Sequence, residues 1–156
     1  MKTASLNQIK NALVNENSEE LVEYCLRLAK FKKENKELLQ YLLFQAEDIS
    51  LYIDEVKNEI EEQFVQMNKS NIYFIKKSVR KILRNINKQI RFSSSRHAEV
   101  ELLIQFCKCI IKHSIPIKKS WQLNNIYENQ LKKIDKSLAH LHPDLQYDLK
   151  KELDKT

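Results

Sequence analysis

The chain has 156 residues, of which 31 % are charged and 42 % hydrophobic; its formal net charge is +6, and it contains no glycine. Average usage would supply about eleven glycines, so turns that need a cheap positive φ are hard to build. The glycine-rich phosphate loops of P-loop and dinucleotide-binding folds are excluded for the same reason.

What remains is an all-α protein: seven or eight helices as consecutive antiparallel pairs, forming a bundle or a short solenoid-like array, in a single domain spanning 1–156. Its length is enough to bury a core without a metal or disulfide staple. The opening Met1–Asn7 lacks the apolar core of a signal peptide. No uninterrupted apolar run approaches the ~20 residues that span a bilayer. The expectation is a cytoplasmic protein with no membrane partner, its thiols Cys25, Cys107 and Cys109 reduced.

A first short helix is predicted over 5–14, with Leu6, Ile9 and Leu13 on one side. Ser18 is placed as the N-cap of a second helix, with Glu19 and Glu20 in its first turn. That helix turns Leu21, Cys25, Leu28 and Ala29 inward and ends near Lys32. Asn35 is placed as the cap of a third, over 36–45. Its Leu38-Leu39-Gln40-Tyr41-Leu42-Leu43-Phe44 is apolar nearly all round, which predicts burial on several sides.

The fourth helix is predicted over 48–67, with Ile49, Ile53, Val56, Ile60 and Phe64 as its stripe. A fifth, over 71–92, carries Ile72, Ile75, Val79, Ile82, Leu83, Ile86 and Ile90 on one face. Ser93, Ser94 and Ser95 offer capping hydroxyls for a sixth helix ending near His113. Its polar stripe is thin, so it is expected at the centre. Pro116 interrupts the helical run. Ser120 caps a seventh helix to about Leu141, and Pro143 suits the first turn of a last short one.

Charge is unevenly distributed. Residues 1–69 hold nine Lys or Arg and thirteen Asp or Glu, a net of −4; residues 70–119 hold twelve against Glu99 and Glu101, a net of +10; residues 120–156 balance at zero. On the fifth helix Lys77, Arg80, Lys81, Arg84, Lys88 and Arg91 fall opposite the isoleucine stripe. On the fourth, Glu47, Asp48, Asp54, Glu55, Glu61 and Glu62 lie mostly opposite its own stripe. If both stripes face one core, the two charged ridges point apart. Only flanking residues such as Lys76, Lys81, Glu59 and Glu61 are then within reach across the seam.

The basic ridge, extended by Arg96, is the candidate polyanion-binding surface. Ser93, Ser94 and Ser95, between Arg91 and Arg96 at a helix start, form a candidate phosphate site; helix capping alone also accounts for the serines. Lys118 and Lys119 flank Trp121, which reads as a core anchor rather than a base-stacking platform.

Catalytic constellations are lacking. Cys109 and His113, at i and i+4, share a helix face, but two ligands are too few for zinc. His140, His142 and Asp144 straddle Pro143, and His142 reads as a cap or turn residue. Cys25 and Cys107 sit on apolar stripes, where cysteine behaves as a small hydrophobe. No catalytic residue, metal or cofactor is expected.

The segment Leu21–Leu39 with Tyr41-Leu42-Leu43-Phe44, continuing into Lys76-Lys77 and Arg80–Arg84, resembles a family of small helical bacterial proteins without an assigned function. That resemblance implies an all-helical fold and brings no site residues. The expected function is therefore a non-enzymatic interaction protein whose ridge meets an acidic partner. Nucleic-acid backbone is the first choice and an acidic protein surface the second. The alternative is a self-associating scaffold, a homodimer pairing acidic helix 48–67 with basic helix 71–92.

Overall fold

The structure is a computed structural model that describes residues 2–156. Among them lie eight α-helices, one 3-10 turn and no strand. The helices are α1 (Leu6–Val14), α2 (Ser18–Phe31), α3 (Lys33–Phe44), α4 (Ile49–Val65), α5 (Ile72–Ser93), α6 (Arg96–Lys112), α7 (Trp121–Leu138) and α8 (Pro143–Asp154). The all-α expectation holds. By contact the chain divides into two compact units, one ending at Phe44 and one running from Gln45 to Thr156.

In the first unit, α2 packs on α3. Neither α1 nor α2 has a buried residue, and α3 buries only Tyr41. Burial of α3 on several sides is thus corrected, for Leu42, Leu43 and Phe44 are exposed. So are Cys25 and Leu28 of α2, which the periodicity turns inward. Two caps also move. Asn17, not Ser18, is the N-cap of α2, its side chain accepting from the Glu20 N–H at 2.9 Å. Asn35 does not cap α3; its amide donates to the Leu28 carbonyl at 2.8 Å, satisfying an orphan acceptor in the last turn of α2. With Asn35 so engaged, α3 begins earlier, directly after an extended Lys32.

The second unit is built around α6, which touches α4, α5, α7 and α8. Leu102, Leu103, Ile104, Phe106, Cys107 and Ile110 are all essentially inaccessible. Around it, α4 contributes Ile53, Ile60 and Phe64, α5 contributes Ile75, Val79, Ile82 and Ile86, and α7 contributes Leu123 and Ile134. The central position expected for this helix follows from its thin polar stripe. Capping follows side-chain chemistry closely: Asp48, Asn71, Ser95 and Ser120 each accept from an N–H in the first turn of their helix. At α8, His142 caps and Pro143 takes the first helical position. The seventh helix stops at Leu138, short of Leu141.

Without glycine, two serines take the left-handed positions. Ser94, at φ 49°, ends α5, and Ser114, at φ 52°, follows α6. Around Ser114 the Ile115 N–H reaches the Ile110 carbonyl and the Ser114 N–H reaches that of Ile111. That is the Schellman pattern, in which the position occupied by Ser114 ordinarily belongs to glycine. Replacing Ser114 with glycine relieves the Cβ clash of the left-handed conformation, less the entropy that glycine gains when unfolded. Ser114→Gly is expected to stabilise by about 0.5–1 kcal/mol, read as a higher urea midpoint at unchanged m-value.

Candidate functional site

Helix α5 is strongly two-sided. Ile75, Val79, Ile82 and Ile86 recur at intervals of four and three and are buried. Lys77, Arg80, Lys81, Arg84 and Arg91 are exposed, and Lys88 is half-buried. At 100° per residue these six cations fall within an arc of about 100°, centred opposite the isoleucines. Lys77 to Arg91 covers about 21 Å of helix axis at 1.5 Å per residue.

Four lysines of neighbouring helices are treated differently, although Lys132 and Lys136 of α7 stay exposed. Lys57 of α4 bonds Glu101 of α6, which also holds His97 at 2.6 Å. Lys108 meets Glu152 at 2.7 Å, Lys112 meets Glu61 at 2.6 Å and Lys133 meets Glu99 at 3.1 Å. Among the described residues, no carboxylate lies within ion-pair distance of Lys77, Arg80, Lys81, Arg84, Arg91 or Arg96. The pairing across the α4–α5 seam envisaged for Lys76, Lys81, Glu59 and Glu61 does not form, because Glu61 turns to α6 instead.

The three serines after α5 are occupied with reversing the chain. Ser93 donates to the Ile90 carbonyl at 2.8 Å and accepts from the Ser95 N–H. Ser94 donates to the Arg91 carbonyl at 3.3 Å. Ser95 accepts the Ala98 N–H as the N-cap of α6. Their hydroxyls are spent on backbone groups, while Arg91 and Arg96 on either side stay exposed.

Trp121 is not a core anchor. It is 75 % exposed at the first position of α7, beside exposed Lys118 and Lys119. Ser120 beside it is buried and caps the helix, so the cap is held inside while the indole is left in solvent.

A second cluster lies between α4 and α6. Glu61 Oε1 sits 2.9 Å from His113 Nε2 and takes the Lys112 ammonium, while its Oε2 accepts from the Cys109 thiol at 3.2 Å. The Lys112 hydrogen bond holds the Glu61 carboxyl down at about 2; burial works against this, and the bonds from Cys109 and His113 add to it. Glu61 in turn raises the ammonium of Lys112. Burial, with Glu61 alongside, pushes the Cys109 thiol up to about 12. Burial alone does the same to Cys107, so neither thiol serves as a ready nucleophile. The sequence pairs Cys109 with His113 at i and i+4; the third member, Glu61, is 48 residues away and comes from another helix.

No helix among the described residues is long and apolar enough to cross a membrane. No family model, curated protein or solved structure matches the chain, so no residue roles carry over from relatives.

Proposed function

We propose that this chain is a non-enzymatic interaction protein that holds a nucleic-acid backbone along the cationic side of α5. The observation that carries the reading is a row of cations, without carboxylate partners among the described residues, along one face of a single helix. Lys57, Lys108, Lys112 and Lys133 each have a carboxylate, whereas Lys77, Arg80, Lys81, Arg84 and Arg91 have none among the described residues. Duplex DNA carries one charge per about 1.7 Å of axis, so a straight row about 21 Å long faces many phosphates from both strands. No base-reading geometry supports sequence specificity, and the contacts proposed are to phosphate. Arg96, exposed at the first position of α6, adds a further cation without a carboxylate partner among the described residues, close after the end of α5. Trp121 with Lys118 and Lys119 offers a stacking face for an unpaired base.

The test is titration of a labelled 30-mer, as duplex and as single strand, between 50 and 200 mM salt. Neutralising four or five phosphates gives a log–log slope of about −4 on duplex, and a loss of roughly 100–500-fold across that range. No binding at the lower salt overturns the reading.

The exposed Asp54, Glu59 and Glu62 of α4, with no cation in reach among the described residues, support a second reading, self-association of α4 on α5 of another copy. It predicts a salt-sensitive dimer in light scattering, and a monomer at every salt concentration removes it.

A further inference from the structure

We propose that Glu61, Cys109 and His113 form a binding site for a borderline-soft divalent metal of the zinc class, with solvent completing the fourth position. Their ligand atoms all lie within 4.8 Å of one another. Cys109 and His113 project from one face of α6, a turn apart, and Glu61 reaches across from α4 to both. Its two oxygens already divide between them, at 2.9 Å to the imidazole and 3.2 Å to the sulfur.

With Zn–N near 2.0–2.1 Å and Zn–S near 2.3 Å, tetrahedral donors stand about 3.3–3.6 Å apart. The two contacts to the carboxylate open by a few tenths of an ångström, and the widest pair, within 4.8 Å, closes by up to about 1 Å. Thiolate, imidazole and carboxylate together favour zinc or cobalt over magnesium or calcium. Three protein ligands with one open position is the pattern of a reactive or exchangeable zinc site rather than a closed structural one.

The surroundings fit this use. The His113 ring stacks on Phe64 at 5.6 Å and 20°, which fixes its plane. The Gln105 amide lies 3.4 Å from the Cys109 sulfur, the outer-shell hydrogen bond that orients a metal-bound thiolate. Cys109 is inaccessible and the His113 side chain 13 % exposed, while that of Glu61 is 28 % exposed, so the metal enters from the carboxylate side.

On binding, the carboxylate leaves its hydrogen bonds to the thiol and the imidazole, and the thiol proton passes to solvent. The proton on His113 Nε2 is given up to solvent or replaced by one on Nδ1, so that a neutral ring presents Nε2 to the metal. One thiolate and one carboxylate then balance the divalent charge. Lys112 competes for Glu61 Oε1 and must swing away; its side chain is 65 % exposed and free to do so.

Cobalt(II) tests the site in the reduced 156-residue chain carrying Cys25→Ser, which removes the exposed thiol. The expected result is one-to-one binding with sulfur-to-cobalt charge-transfer absorption and the visible bands of four-coordinate cobalt, displaced by zinc. Cys109→Ser is expected to abolish the charge-transfer band, and Glu61→Gln to weaken binding at least tenfold. Lys112→Met alters an exposed side chain and leaves the core intact. It is expected to tighten cobalt binding several-fold, because the competing cation is gone. A simple ion-pair cluster predicts no gain there. No charge-transfer band at saturating cobalt, a band that survives Cys109→Ser, or unchanged affinity in Lys112→Met each overturns the proposal.

Discussion

Combining Arg80→Glu, Lys81→Glu and Arg84→Glu lowers duplex affinity at 50 mM salt by at least 100-fold and flattens the log–log salt slope by about 3. Each substitution removes a cation that faces solvent and puts a like charge opposite phosphate. The slope carries the sharper information, since it counts contacts. Three lost contacts at about 0.9 each give the predicted change, whereas a change in global charge moves affinity without altering that count. Lys132→Glu with Lys136→Glu, exposed positions on α7, supplies the control and is expected to cost only a few-fold. The fold tolerates the triple change. Glutamate forms helix about as well as arginine or lysine, and Lys81→Glu turns its i, i+4 pair with Lys77 from repulsive to attractive. A stable triple variant that still binds with the parental slope refutes the α5 interface. Binding lost together with the α7 control points to charge alone.

The parts of this structure legible in the sequence are those decided within one helix. The 4–3–4 spacing of Ile75, Val79, Ile82 and Ile86 fixes the buried side of α5 and therefore where its cations face. Asp48, Asn71, Ser95 and Ser120 start helices because a short polar side chain satisfies a first-turn N–H wherever it stands. Errors gather where burial depends on a partner that sequence does not name. Leu42, Leu43 and Phe44 are as apolar as any segment of α6, yet α6 is covered by four helices and they are exposed. Trp121 belongs to the same class, since its hydrophobicity suggests a core while its place beside the Ser120 cap puts the ring outside. The Glu61 cluster was half legible: i, i+4 geometry joins Cys109 to His113, but only the packing of α4 on α6 brings the carboxylate. The flank position of Glu61 on the α4 stripe reads in sequence as a partner for α5, and the packing turns it to α6 instead.

Phe106→Ala is expected to cost 3–5 kcal/mol, the largest loss of stability for any single truncation considered. Phe106 is fully buried on the helix that four others cover, and its ring lies 5.9 Å from that of Phe64, tilted by 59°. Removing it strips transfer free energy and leaves a cavity that the surrounding helices, each pinned by its own contacts with α6, fill poorly. Phe64 then keeps its stacking against His113 but loses the ring on its other aromatic contact. The loss therefore reaches the α4–α6 seam as well as the core. Phe106→Leu keeps most of the volume and is expected to cost under about 1.5 kcal/mol. Tyr147→Ala, on an exposed ring of α8, should stay within about 0.5 kcal/mol although it deletes the same six ring carbons and a hydroxyl besides. Urea denaturation of the three variants, compared at equal m-value, separates packing from mere hydrophobic content. If Phe106→Ala costs no more than Tyr147→Ala, α6 does not organise this unit. The placement of the cations of α5 and of the Glu61 cluster, both anchored on that helix, loses its basis with it.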